Sequence, residues 1–102
     1  MKPRRSLLAA ALLAAALRPS AAQDVDLSAL VLACEPCHGL DGIARDSEVP
    51  HLAGQNQLYL LNQLRAFHDG SRRHKEMRIM TRRMTDAEIE ALAAYFAGLP
   101  RQ

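Results

Sequence analysis

Apolar positions recur with a helical period in three stretches of the 102-residue chain. The first stretch covers residues 27–34, where apolar side chains at i, i+3, i+4 and i+7 form one helical stripe. These side chains are Leu27, Leu30, Val31 and Cys34. Asp26 precedes the stripe in the place of an N-cap, and Pro36 follows it. We therefore expect the first helix to begin after Asp26 and to end before Pro36.

Two later stretches have the same period. The second helix is predicted over residues 57–68, with Gly70 as its stop signal. The third is predicted over residues 86–97, where Thr85 and Glu88 have the spacing of a capping box. The apolar stripes are Leu60, Leu61, Leu64 and Phe67 in the second helix, and Ile89, Leu92, Ala93 and Phe96 in the third. Because no stretch alternates as a strand does, the pattern predicts an all-α domain with loops between these helices.

Residues 1–22 have the pattern of an export signal. The positive start is formed by Lys2, Arg4 and Arg5, and residues 7–17 consist only of Leu and Ala. These 11 apolar residues are too few for a helix that crosses a bilayer, which needs about 20. We expect cleavage after about Ala22, a domain over residues 23–102, a periplasmic location and no stable membrane span after cleavage. An uncleaved membrane anchor is the alternative.

The charge of the chain is unevenly distributed. The sequence holds 13 Lys and Arg against 11 Asp and Glu, but four of the basic residues lie within residues 1–22. The domain therefore has no basic excess, and its net charge gives no support for nucleic-acid binding. Its cations are concentrated in one stretch, called here the basic segment, which consists of Arg72, Arg73, Lys75, Arg78, Arg82 and Arg83.

The two cysteines of the sequence, Cys34 and Cys37, form a Cys-x-x-Cys-His run with His38. This run is the attachment motif of a c-type heme, in which both thiols form thioethers and the histidine ligates the iron. A thioredoxin-like redox pair would need a strand-containing context. A structural zinc site would need four ligands, and a disulfide between such close cysteines would constrain little chain. Since the motif occurs once, we predict one covalent heme c.

Together with this motif, an ordered set of segments resembles the class I c-type cytochromes. The likeness is to their short bacterial type and to single halves of the diheme members. The shared segments are residues 34–42, 50–55, 59–64 and 67–72, a loop containing methionines, and residues 91–96. The resemblance implies about three helices wrapped around one heme c. It also implies that the Pro50 carbonyl accepts a hydrogen bond from His38, and that Leu52, Tyr59, Leu60, Leu64 and Tyr95 pack against the heme or in the core.

The resemblance further implies that a methionine sulfur from the loop before the last helix is the second axial ligand. Met77, Met80 and Met84 lie in this loop. Met84 directly precedes the N-cap Thr85, where a hydrophobic staple to Ile89 would occupy it. Alignment of the last helix with the family favours Met77, and Met80 is the alternative. An open site, or a histidine from the set His51, His68 and His74, is a further alternative.

These features predict a periplasmic electron carrier. An iron ligated by both His38 and Met77 has no free position for a substrate, so we expect no enzymatic activity. Redox-partner proteins are expected to dock at the basic segment through their acidic patches. One alternative is the cytochrome subunit of a larger periplasmic oxidoreductase, such as flavocytochrome c sulfide dehydrogenase. Another is a ligand-binding or peroxidase-like heme protein.

Overall fold

The computed structural model describes residues 1–3 and 24–102 of the chain. Over these residues it contains four helices and no strand: α1 (Leu27–His38), α2 (Gln57–Asp69), α3 (Lys75–Thr81) and α4 (Asp86–Ala97). The all-α prediction is confirmed, with one helix more than expected. None of the helices in this part of the chain is both long and apolar enough to span a bilayer. Residues 4–22 of the predicted signal peptide lie outside the described residues.

The first helix begins where the sequence predicts but ends later. The Asp26 carboxylate caps it by accepting a hydrogen bond from the Ala29 amide at 3.1 Å. The predicted end before Pro36 is wrong, because α1 continues to His38. Pro36 removes only one backbone donor in the last turn, and the Gly39 amide closes that turn on the Glu35 carbonyl at 2.8 Å. The cysteines therefore lie within the helix and not after it.

The extra helix is α3, in a stretch where the sequence pattern predicts a loop. It has seven residues, of which only Thr81 is buried. Its N-cap is His74, whose Nδ1 accepts a hydrogen bond from the Met77 amide at 3.3 Å. A helix this short is not stable on propensity alone, so tertiary contacts must hold it. Since α3 has no apolar stripe, hydrophobic periodicity could not reveal it.

The core forms where α4 packs against α1 and α2. Its buried residues are Val31, Leu60, Leu92, Ala93 and Phe96. The capping box at the start of α4 is present: Thr85 Oγ1 accepts from the Glu88 amide at 3.1 Å, and Glu88 Oε1 accepts from the Thr85 amide at 3.0 Å. At the end of α2, Gly70 adopts the left-handed conformation, with φ +84°. Most residues of the predicted stripes thus meet in one core, and Phe67 and Ile89 are buried outside this cluster.

The loop over residues 39–55 is closed by its own backbone. The Gly42 carbonyl accepts hydrogen bonds from the amides of Leu52, at 2.8 Å, and Ala53, at 3.1 Å. The Gly54 amide then donates to the Phe96 carbonyl at 2.9 Å, which ties the loop to α4. These bonds return the chain from the end of α1 and hold Pro50 beside His38.

Candidate functional site

Cys34, Cys37 and His38 lie at i, i+3 and i+4 in the last turn of α1. Residues at this spacing share one face of a helix, which explains why two residues separate the cysteines. Both thiols are free; Cys34 is half-buried and Cys37 is exposed. Burial raises the pKa of the Cys34 thiol, and the charge of Cys37 raises it further.

The ring of His38 is buried and oriented by the loop. Its Nδ1 lies 3.0 Å from the Pro50 carbonyl oxygen. Because a carbonyl can only accept, Nδ1 carries the proton and Nε2 keeps its lone pair. A histidine that ligates a metal commonly donates its other ring N–H to such an acceptor. The structure therefore confirms the predicted contact with Pro50.

The other three histidines are each engaged in a structural hydrogen bond through Nδ1. His51 accepts from the Ala44 amide at 2.8 Å, which stabilises the 39–55 loop. His68 donates to the Thr81 carbonyl at 2.7 Å. His74 is the N-cap of α3. The sequence carries no local signal for the long-range contact of His68, which depends on how α2 and α3 pack.

The three methionines have different environments. Met77 is half-buried in the first turn of α3, and Met80 lies three residues later with 38% of its surface exposed. Met84 lies after α3 and packs against the core cluster. This packing, directly before the N-cap Thr85, gives Met84 a structural role, as the sequence predicts. Met77 and Met80 are thus the two methionines that α3 itself presents.

The residues around these donors fit an apolar porphyrin with an iron centre. Two thiols and an imidazole Nε2 share one helical turn, and thioether sulfurs lie on α3. In c-type cytochromes, cysteine thiols bond covalently to the porphyrin, and an imidazole and a thioether ligate the iron. Large apolar side chains near these groups are exposed: Leu40, Ile79 and Met80. A porphyrin held by these donors would give such side chains an apolar surface to pack on.

The described residues form neither a zinc site nor a disulfide. No group of three His, Cys, Asp or Glu side chains comes together within residues 1–3 and 24–102 in a way that could hold a metal ion. The two cysteines are not joined in a disulfide.

Of the expected packing residues, Leu60 is in the core, and Leu52, Leu64 and Tyr95 pack against it, but Tyr59 is exposed.

The basic segment surrounds α3. All six of its side chains are exposed, and none forms a salt bridge with a carboxylate of the described residues. Arg72 stacks 4.6 Å from the centre of the Phe67 ring and donates to Gln63 Oε1 at 2.7 Å. Arg78 donates to the Phe67 carbonyl at 3.4 Å. The segment therefore presents positive charge to solvent, with two guanidinium groups held in place by α2.

Comparison with known proteins gives consistent matches. The Cytochrome c family model matches residues 28–100. Cytochrome c4 of Pseudomonas aeruginosa is 40% identical over 65 residues, which cover 64% of this chain and 32% of that protein. A thiosulfate dehydrogenase electron acceptor of Thiomonas intermedia is 35% identical over 98 residues, covering 95% of this chain and 45% of its own length. The solved structure of Acidithiobacillus ferrooxidans cytochrome c4 superposes with a TM-score of 0.63 and 39% identity, over 66% of this chain and 38% of that one.

The chain spans less than half the length of these relatives. The structural match confirms the predicted class I fold. It also agrees with the Cys-x-x-Cys-His motif, since the family's cofactor is covalently bound heme c and its members transfer electrons. Because the family model covers nearly all of the described domain, the chain belongs to the cytochrome c family.

Proposed function

We propose that this chain is an exported one-electron carrier, with its heme c joined to Cys34 and Cys37 and ligated by His38 and Met77. The observation that carries the proposal is the hydrogen bond from His38 Nδ1 to the Pro50 carbonyl. It leaves Nε2 available on the same helical turn as two free thiols. Membership of the cytochrome c family supports the same cofactor.

Each of these residues has a distinct task in the proposal. The two thiols would attach the porphyrin to the last turn of α1. The Pro50 carbonyl orients the His38 ring and raises the basicity of its Nε2. A thioether from Met77 would favour the reduced iron and raise its reduction potential. When bound, the heme supplies a one-electron Fe(III)/Fe(II) couple, and protein ligands on both faces would exclude a substrate.

Substitution of single methionines tests the ligand assignment. Met77→Ala and Met80→Ala form a matched pair, because both side chains lie on α3. In protein matured with heme, Met77→Ala should abolish the weak sulfur-to-iron band at the red end of the oxidised spectrum, and Met80→Ala should retain it. Loss of the band only in Met80→Ala would assign the ligand to Met80. A band retained in both variants would show that neither methionine is the ligand.

The location of the mature protein is part of the same proposal. Residues 1–22 would direct export to the periplasm, and residues 23–102 would form the cytochrome domain. The charged start, the apolar run and the small residues before Gln23 support this division. The intact mass of the protein recovered from the periplasm tests it. A mass that includes residues 1–22 would contradict cleavage.

Docking of redox partners is proposed at the basic segment. The support is electrostatic, since six exposed cations without carboxylate partners in the described residues surround the helix that carries Met77. Such a patch attracts an acidic partner and accelerates encounter. Because α3 also carries the proposed ligand, a partner bound here would lie close to the electron's path.

A dedicated acceptor or subunit role is the second candidate. The relative from Thiomonas intermedia is named as the electron acceptor of a thiosulfate dehydrogenase. By analogy, this chain could serve a periplasmic oxidoreductase of the sulfur-oxidising type, including as a subunit of a flavocytochrome c sulfide dehydrogenase. Affinity purification from the native host distinguishes the two roles. A stoichiometric complex with a dehydrogenase supports the subunit, and isolation as the free cytochrome supports the mobile carrier.

A further inference from the structure

The helix that carries Met77 packs against α2. Thr81 is its only buried residue. Among the described residues, two hydrogen bonds join α3 to α2. One runs from His68 Nδ1 to the Thr81 carbonyl at 2.7 Å, and the other runs from the Arg78 guanidinium to the Phe67 carbonyl at 3.4 Å. The His68 bond is the shorter, and it ends on a residue with no exposed surface.

This bond leads directly to the backbone of Met77. The Thr81 carbonyl accepts from His68 and also from the Met84 amide at 3.0 Å, so both of its lone pairs are used. The Thr81 hydroxyl donates to the Met77 carbonyl at 2.8 Å. His68 in α2 is therefore connected to the backbone of Met77 through a single buried residue.

We propose that His68 is a positioning residue for the sixth ligand, and that it acts by anchoring the C-terminal turn of α3 through Thr81. The proposal rests on the proposed ligation by Met77. A ligand on a short helix stays on the metal only while that helix stays docked. Local opening of a weakly held element lets a competing ligand enter. Removal of the His68 hydrogen bond should therefore make it easier for an added ligand to displace Met77 from the iron, without changing heme attachment.

Competition with imidazole measures this effect. The titration is run above about pH 8, where imidazole is largely neutral, so the charge of the basic segment does not bias it. The readout is the imidazole concentration that removes half of the sulfur-to-iron band of the oxidised protein. Loss of one hydrogen bond should lower that concentration about 3- to 10-fold in His68→Leu. His68→Asn should restore most of it, because its amide nitrogen can replace Nδ1 as the donor.

Two further variants make the test specific. Gln63→Ala removes a hydrogen bond of equal length, 2.7 Å, from the same helix, but its partner Arg72 is outside α3. It should leave the half-point unchanged. Thr81→Val removes the second link and should lower the half-point as His68→Leu does. Thr81→Val keeps the backbone carbonyl that accepts from His68, so it tests only the link from Thr81 to Met77. If His68→Leu does not fold, His68→Phe takes its place, because it keeps an aromatic ring and lacks the donor.

The outcomes separate this inference from the ligand assignment. An unchanged half-point in His68→Leu, or an equal loss in His68→Leu and His68→Asn, would overturn the role of the His68 hydrogen bond. A band that persists in Met77→Ala would overturn the ligand assignment, and this inference with it. The band could also be absent in Met77→Ala while the half-point stays unchanged in both His68→Leu and Thr81→Val. That result would overturn the role of His68 and leave ligation by Met77 in place.

Discussion

Substitution of Gly42 by alanine should destabilise the protein more than the same substitution at Gly70, where an added Cβ would meet open space. Gly42 has φ +72°, and a Cβ there would lie 2.9 Å from the Ala53 amide nitrogen and 3.1 Å from the Ala53 Cβ. The carbonyl of Gly42 accepts the two hydrogen bonds that close the 39–55 loop. The change therefore affects the loop that positions Pro50 beside His38.

The cost has two parts. A positive φ costs an alanine about 1 kcal/mol. Because the Cβ would clash with the backbone and not with a flexible side chain, the loop must shift, which costs about 1–2 kcal/mol more. The free energy of unfolding should fall by about 2–3 kcal/mol, and a domain of this size loses about 4–8 °C in Tm for each kcal/mol. We therefore expect Tm to fall by about 10–20 °C.

Gly70→Ala is the matched control. Gly70 also has a positive φ, +84°, but the nearest atoms to an added Cβ are those of the Arg78 guanidinium at 3.9 Å. Only the conformational cost remains, about 1 kcal/mol, so Tm should fall by about 4–8 °C. Thermal unfolding of both heme-loaded variants, followed by far-UV circular dichroism, makes the comparison. Equal losses in Tm would refute the steric argument at Gly42.

Two further predictions concern charges. The Arg65 guanidinium hydrogen-bonds Asp86 at 3.1 and 3.2 Å, and this contact lowers the pKa of that carboxyl from its ordinary 3.8. A carboxylate with a lowered pKa stabilises the fold above its unfolded pKa and loses that stabilisation as pH falls through the folded pKa. The Tm advantage over Arg65→Met should therefore be small but complete at neutral pH, begin to fall near pH 3.8, and disappear only below the lowered pKa of the folded state. An advantage that persists below that folded pKa would contradict the assignment. Added salt should slow electron transfer with an acidic partner, and Arg73→Gln should weaken this dependence while Arg45→Gln, outside the basic segment, should not. Rates that are independent of salt would rule out electrostatic docking.

The parts of the fold that the sequence predicts are those where local and tertiary preferences agree. Asp26, the Thr85–Glu88 pair and Gly70 each form the cap that their residue types favour. The apolar stripes of α1, α2 and α4 are the faces that meet in the core. In these helices, the residues that favour the local cap or helix also agree with the tertiary packing. The sequence pattern alone therefore predicts where the helices lie and which faces are buried.

The features that sequence analysis misses depend on distant partners. Pro36 is the exception, since the last turn of α1 is closed locally, by the Gly39 amide on the Glu35 carbonyl. The helix α3 has no periodic stripe, and its buried Thr81 is bonded to His68, thirteen positions earlier. Because α3 is stabilised by such contacts, it can be predicted only when the packing of α2 against α3 is known.

The two proposed axial ligands are therefore supported very differently. His38 lies at the end of a 12-residue helix that packs on α4, and its ring is held by a loop that the backbone closes at Gly42. Met77 lies on a seven-residue helix that packs on α2 and contains one buried residue, Thr81. Since exchange begins at the element that opens most easily, a competing ligand should displace the methionine well before the histidine. The reduction potential and the spectrum should then respond more strongly to changes around Thr81 and His68 than to changes of equal size on the α4-facing side of α1.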